Sequence, residues 1–337
     1  MTIILLLALG LSTFTPTQAA GEGTVLVWSG NGALHVEVDL FKGNASAWGY
    51  TVKNSTAQMT ASLLTGVDVL ILNAPDYIFQ NESDVIKTWF NGASDRTIWI
   101  TSDSDYGGYW YPWGVNATPI GVNHIVKAIG GHVYVQDDAV SDPVSMDGAS
   151  YRVLANTPNT DDDPAKFINR KIETISMHGP TAVVPYKSVT ADGVGTVGKY
   201  SSMNKVQWVI NSSTTAQIQD QDFDDDTKWE GYPIAKNMSM SMVAIEWDLG
   251  TKNNKLVVAG ESFFADYKLM FGTECRYANK TGTNEPLPID NIPFTHQLLD
   301  WSVGSLDTSP LTAAPGFEIL TVFLAFTVAI AFLKRRR

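Results

Sequence analysis

Apolar and polar positions alternate between two periods along the first 135 residues. Thr24 to Gly30, TVLVWSG, is a β-branched apolar run closing on a glycine, and Val67 to Pro75, VDVLILNAP, is apolar almost throughout. Neighbouring side chains of a strand point to opposite faces, so a continuous apolar run predicts a strand covered on both. Tyr50 to Thr56 (YTVKNST) and Arg96 to Asp105 (RTIWITSDSD) predict two more strands. Between them, residues 33–49 space Leu34, Val38 and Phe41 on one side of a helix. Residues 60–66, TASLLTG, predict a short helical link. Residues 82–93 predict a helix that Ser83 caps and Gly92 ends, and residues 121–131 a helix stopped by its glycines.

Strands separated by helices at this spacing imply right-handed crossovers and a largely parallel sheet. The middle differs in character. From about Val140 to Met240, Asp, Asn, Gly and Thr surround short alternating runs, TAVVPYKSV and KVQWVINSS, which suggest antiparallel pairs in an insertion or edge extension. The apolar pattern then resumes. MVAIEWDLG and NKLVVAGES predict a hairpin turned at Lys252, Asn253 and Asn254, and Phe294 to Gly304 a closing amphipathic helix. The fold class expected is α/β, a flavodoxin-like three-layer sandwich with a mostly parallel sheet, an antiparallel β-rich insertion and a C-terminal hydrophobic helix.

The two ends add compartment to the picture. An apolar stretch from Ile3 to Leu11, followed by polar residues and the small pair Ala19 and Ala20, has the form of a secretory signal peptide, although no Lys or Arg precedes it. At the other end, Ile319 to Leu333 is uncharged and precedes Lys334, Arg335, Arg336 and Arg337. As a helix this stretch reaches only about 22 Å against a hydrocarbon core of roughly 30 Å, a marginal span. The basic cluster would stay in the cytoplasm and leave residues 21–310 outside. The organisation expected is a signal peptide at 1–20, an ectodomain at 21–304 with its insertion at about 140–240, a linker at 305–314 and a sorting signal or membrane anchor at 315–337. The asparagine sequons at Asn44, Asn54, Asn81, Asn116, Asn211, Asn237 and Asn279 fit a glycosylated, exported chain.

Composition narrows the function classes. Against 23 Lys and Arg stand 35 Asp and Glu, a net charge of −12, so phosphate backbones are repelled and nucleic acid is not an expected partner. The single cysteine, Cys275, excludes an internal disulfide framework and a zinc site of the CxxC kind. His35, His124, His132, His178 and His296 show no HxH or HExxH spacing, so a zinc hydrolase has no basis in the sequence.

Two resemblances sharpen these expectations. Pro315, Gly316 and Phe317, a short apolar helix and a terminal Arg cluster resemble the PGF type of C-terminal sorting signal on archaeal surface proteins. That resemblance implies recognition by an archaeosortase-like enzyme, removal of the helix and transfer of the new C-terminus to a membrane lipid. A plain tail anchor is the other reading, and both place the protein on the outer face of the membrane. The order of elements, with AGESFFADYKLM, an acidic loop and DNIPFTHQLLDW at the end, is similar to the type 1 glutamine-amidotransferase-like superfamily, and to its non-catalytic branch. That family's nucleophilic Cys sits on a sharp strand-to-helix turn. The matching stretch here, WITSDSDYGG, offers Ser102 and Ser104 without a Gly-x-Ser-x-Gly elbow, and Cys275 is not on a strand end.

Candidate chemistry gathers where such sheets bind ligands, outside the carboxyl ends of their strands. Those ends carry Ser29 and Asn31, Asn73 and Asp76, Asp103, Asp105 and Tyr106, and Glu261. Converging oxygens there suit calcium or a metal-assisted hydrolase; solvated turn formers are the plainer reading. Asp220, Asp222 and Asp224 alternate as in a calcium loop, but Asp225 stands where glycine belongs and Gly231 where a bidentate Glu belongs, so an EF-hand is rejected. A looser surface site there, or around Asp161 to Asp163, remains open beside a plain acidic loop. Tyr106 to Gly114, YGGYWYPWG, is an aromatic loop suited either to a sugar or protein ligand or to folding back on its own domain. The expected function is a surface-anchored, non-catalytic binding or scaffolding glycoprotein, with a hydrolase working on the acidic rim as the alternative.

Overall fold

A computed structural model describes residues 22–33, 36–105, 118–190, 193–221, 228–250, 252–267, 270–275 and 287–309. The chain divides into two units, Met1–Leu306 and Asp307–Arg337. Of the second, residues 307–309 are described, where Asp307 accepts the Ser309 N–H at 2.9 Å. The signal-peptide reading, the aromatic loop, Tyr106, Asp222, Asp224, the sorting motif Pro315, Gly316 and Phe317, the hydrophobic tail and the sequons at Asn116 and Asn279 lie outside the described residues.

The first unit is α/β. Strands β1 (Thr24–Trp28), β2 (Thr51–Ser55), β3 (Val69–Asn73) and β4 (Thr97–Thr101) alternate with helices α1 (Asp39–Ala47) and α2 (Gln80–Gly92), and α3 (Thr118–Ile129) follows. The middle of the chain supplies β5 (Val133–Val135), β6 (Ala139–Ser141), β7 (Leu154–Ala155), β8 (Thr157–Pro158), a one-turn helix α4 (Ala165–Ile168), β9 (Ile175–Ser176), β10 (Val183–Val189), β11 (Gly195–Val197), β12 (Val206–Asn211) and β13 (Gln217–Gln219). The hairpin strands β14 (Ser241–Leu249) and β15 (Asn254–Ala259) and the closing helix α5 (Asn291–Val303) complete it.

Eight strands form one sheet in the order β2-β1-β3-β4-β15-β14-β12-β8. The first five run parallel, and β14, β12 and β8 are added antiparallel. Side-chain alternation sorts the apolar runs between two cores. Val25, Val27, Ile71, Trp99 and Val257 pack with Phe41 of α1 and Phe294 and Leu298 of α5. Leu26, Leu70, Leu72, Ile98 and Ile100 pack with Ile86 and Phe90 of α2 and Val122 and Val126 of α3. The uninterrupted apolar character of β3 and β4 follows, since every residue of both is buried. From the middle of the chain, β8 and β12 extend the main sheet, whereas β11-β10-β5, β13-β6 and β7-β9 form small antiparallel sheets of their own.

Three local expectations are corrected. The first helix begins at Asp39, behind Val38, and Leu34 lies outside the described residues. Residues 60–66 form successive turns instead of a helical link, with Leu63 N–H on Thr60 O and Thr65 N–H on Ser62 O, and Gly66 closes them at φ +68°. Ser83 is buried inside α2 and does not cap it. The helix starts after Phe79, where the side chain of Glu82 accepts the Phe79 N–H at 3.1 Å, a carboxylate meeting the positive end of the helix. The predicted glycine stop after α3 is present, and α5 also closes on a glycine. Gly130 after α3 and Gly304 after α5 adopt φ +80° and +82°, a left-handed conformation with little steric cost only for glycine.

Candidate functional site

The strand order reverses between β1 and β3, because the chain steps from β1 outward to β2 and returns on the other side. Helices leaving adjacent strands on opposite faces open a crevice at such a point. The loops after β1 and β3 flank it. Ser29 and Asn73 are both buried there, with the Asn73 amide donating to Ser29 Oγ at 3.0 Å. Asn31, at φ +52°, accepts the Asp76 N–H on its carbonyl at 3.1 Å. Its side-chain amide donates to Glu82 Oε2 at 2.6 Å and Tyr77 O at 3.2 Å. Glu82 is fully buried and also accepts the Met59 N–H at 3.1 Å, so one carboxylate ties three segments together beneath the crevice. Asp76 lies directly against Gly32, where an added Cβ would meet its Oδ2 at 2.3 Å. The glycine is what admits the carboxylate.

The neighbouring strands extend this rim. Thr101, closing β4, shares a 2.7 Å hydroxyl hydrogen bond with Ser262, which follows Glu261 after β15. Asp103 accepts the Ser104 N–H at 2.7 Å, and Ser104 N–H is also directed to Gly179 O at 3.0 Å. The 103–104 and 178–179 segments are therefore in direct contact. His178 stands edge-on between two tyrosines, 5.3 Å from the Tyr151 ring and 4.9 Å from Tyr267, and the Arg152 guanidinium lies 5.0 Å over Tyr151.

The titration of these groups follows from their proximity. Burial, and then the Asp103 carboxylate, push the Asp76 pKa up to about 6. Burial, followed by Asp103 and Glu261, raises the Tyr267 pKa, which keeps its hydroxyl protonated. Asp76, Asp103, Tyr267 and His178 thus form one acidic and aromatic rim, beside the buried Glu261. Tyr77 and Phe79 pack edge to face at 5.0 Å with both rings exposed, and Tyr151 is exposed at the other side.

Other predicted residues are placed differently. Asp105 is fully buried and accepts the Gln221 N–H at 2.5 Å. Glu261, also fully buried, accepts the N–H of Ser262 at 2.8 Å. One oxygen of each carboxylate thus accepts from a backbone N–H. Among the described residues no group of three or more His, Cys, Asp or Glu side chains is arranged to hold a metal ion. Cys275 is buried, and burial followed by Asp147 pushes its thiol up to about 12, the opposite of an activated nucleophile. Among the described residues no helix is long and apolar enough to cross a membrane.

A second groove, of about 500 Å³, opens at the other end of the sheet. His132 and Glu246 meet in it at 2.6 Å, and the hydrogen bond raises the His132 pKa. His296 stacks on Trp48 at 4.2 Å and lies 3.7 Å from Asp300, in the packing between α1 and α5.

Glu82, Tyr151 and Tyr267 were missed in reading the sequence. A glutamate in the first turn of a predicted helix is a signal for the first. The tyrosines carry none, because their approach to Asp103 and His178 depends on segments far apart in the chain.

No family model matches the chain, and no curated protein matches it. Among solved structures, the mmIFT52 N-terminal domain is similar at a TM-score of 0.53 and 12% identity, over 85% of this chain and 100% of that one, which is a likeness of fold. A ThuA-like protein from Bacteroides uniformis is more distant, with a TM-score of 0.35 and 11% identity over 71% of this chain and 81% of that one.

Proposed function

We propose that the chain is an exported, surface-anchored binding protein whose rim at the strand C-terminal ends takes a hydroxyl-rich ligand of the glycan class. The observation that carries this reading is the juxtaposition of Asp76 and Asp103 at the crevice, flanked by exposed Tyr77, Phe79 and Tyr151. Carboxylates accept hydroxyl protons, and aromatic rings stack on the apolar faces of sugars. The strand order β2-β1-β3-β4-β15 supports a flavodoxin-like sandwich beneath the rim. The similarity to the non-catalytic amidotransferase-like branch supports binding over turnover, since the described Cys275 is buried and no strand-to-helix elbow in the sequence carries a thiol.

Export rests on the apolar N-terminus with Ala19 and Ala20. Anchoring rests on Pro315, Gly316 and Phe317 with the Arg cluster, as either a processed sorting signal or a retained helix. Intact mass of the native C-terminus separates those two.

Isothermal titration of the 22–306 unit against a panel of oligosaccharides tests the binding reading. Binding that falls at least about tenfold in Asp103→Asn and Tyr151→Ala supports it. No binding, or binding indifferent to both changes, refutes it. The alternative, hydrolysis on the same rim, draws on Asp76, whose pKa of about 6 is that of a general acid poised near neutrality. Turnover of an ester or glycoside panel, lost in Asp76→Asn, would favour it.

A further inference from the structure

Five of the seven sequons fall on described residues, and the fold separates them. Asn211 ends β12 with β14 and β8 paired on its two sides, its Oδ1 is buried, and Ser212 of the same sequon is buried too. Asn44 donates its side-chain amide to Leu40 O at 2.9 Å within α1. Asn81 opens α2, and the Glu82 and Ser83 that complete its sequon are buried in the helix. Asn237 is exposed in the segment before β14, hydrogen-bonded to Gln217.

Asn54, exposed like Asn237, differs in standing on a sheet edge. It is exposed on β2, an outer strand of the eight-stranded sheet, and its sequon runs off the strand end through Ser55 to exposed Thr56. β2 pairs with β1 on one side, and among the described residues no strand pairs with its other side. An open edge of this kind is a template for pairing with a second chain, and charged or bulky groups along it prevent that. β2 carries exposed Thr51, Lys53 and Asn54. One cation is a weak block along five residues.

We propose that Asn54 is an N-glycan acceptor and that its glycan closes the free edge of the sheet. The proposal rests on the export reading above. In the transfer, the Asn54 side-chain nitrogen attacks the anomeric carbon of an oligosaccharide carried on a lipid phosphate. The new bond is carbon to nitrogen, the bond from the anomeric carbon to the phosphate oxygen breaks, the lipid phosphate leaves with the electron pair, and an amide proton passes to base. No oxidation occurs. The attached sugars then stand beside the unpaired backbone of β2 and hold other strands away.

Peptide mass mapping of the native full-length protein, with and without enzymatic deglycosylation in heavy-oxygen water, reads occupancy site by site. Modified Asn54 with unmodified Asn211 is the expected result. Unmodified Asn54 beside modified Asn81 or Asn237 overturns this proposal and leaves export standing. A chain unmodified at every sequon and retaining residues 1–20 overturns both. Modified Asn211 overturns the burial argument used to rank the sites.

The edge role is tested in Thr56→Ala, which removes the sequon and keeps the Asn54 side chain. Its thermal melting should match the glycosylated parent, while aggregation of the folded protein quickens by about threefold or more. Asn54→Gln should behave alike. Unchanged aggregation in both variants refutes the capping role.

Discussion

The buried carboxylate of Glu82 supports a quantitative test of how the crevice is held. Its Oε1 accepts the Met59 N–H at 3.1 Å, and its Oε2 accepts the Asn31 amide at 2.6 Å and the Phe79 N–H at 3.1 Å. Glu82→Gln keeps the shape and replaces one acceptor oxygen with an NH₂ group. Whichever oxygen is replaced, a donor then faces a donor, and at least one bond is lost inside a fully buried site. Hydrogen bonds to a charged group contribute about 1.5–3 kcal/mol each, and those that survive weaken when the charge is gone. The expected loss is about 2–4 kcal/mol, or roughly 3–7 °C in Tm for a body of this size. Urea unfolding followed by tryptophan fluorescence measures it, with the slope unchanged because the same surface is exposed. Asn31 and Asp76 are joined by the bond from the Asp76 N–H to Asn31 O, so loosening Glu82 should also weaken ligand binding at the rim. A loss below about 1 kcal/mol at unchanged slope would refute the assignment of Glu82 as the clamp.

The remaining expectations are simpler. Asp76 has a folded pKa of about 6 against a reference of 3.8, so the folded state holds its proton more tightly. Stability from this group is complete below about pH 4 and lost as pH rises through about 6. Asp76→Asn should stabilise the protein by about 1 kcal/mol at pH 7, after discounting for solvent screening of a half-buried carboxylate, and leave Tm unchanged near pH 3. An equal gain at both values refutes the cause. Gly260→Ala would drive a Cβ to 1.8 Å from Thr181 O, beside Glu261, and should cost about 3 kcal/mol or more; a variant melting like the parent sinks this. Cys275, with its thiol pushed up to about 12 by burial, should react with a disulfide reagent at least about a hundredfold more slowly in the folded protein than in denaturant. Comparable rates would show that the thiol is accessible.

What was legible in the sequence, and what was not, divides by the range of the interactions involved. The apolar runs in β1, β3 and β4 and the glycines at 130 and 304 carried their own structural message, because side-chain alternation and left-handed backbone are local properties. The hairpin of β14 and β15 was legible for the same reason. The site residues Ser29, Asn31, Asn73, Asp76, Asp103 and Glu261 were named from their positions after strands, since a parallel sheet sends all those ends to one edge. Side-chain direction was decided elsewhere. Asp105 Oδ2 accepts from Gln221 and Glu261 Oε1 from Ser262, contacts that no position after a strand announces.

The amino-acid order alone therefore determined the α/β alternation, the parallel half of the sheet, the acidic surface and the edge at which polar residues gather. Only the tertiary structure decided that Glu82 serves as a clamp, that His178 stands between Tyr151 and Tyr267, and that β2, beside Asn54, has no second strand partner among the described residues. The physical reason is that periodicity and backbone preference act over a few residues. Burial, carboxylate contacts and strand neighbours depend on segments tens of positions apart, and no short pattern encodes which of them meet.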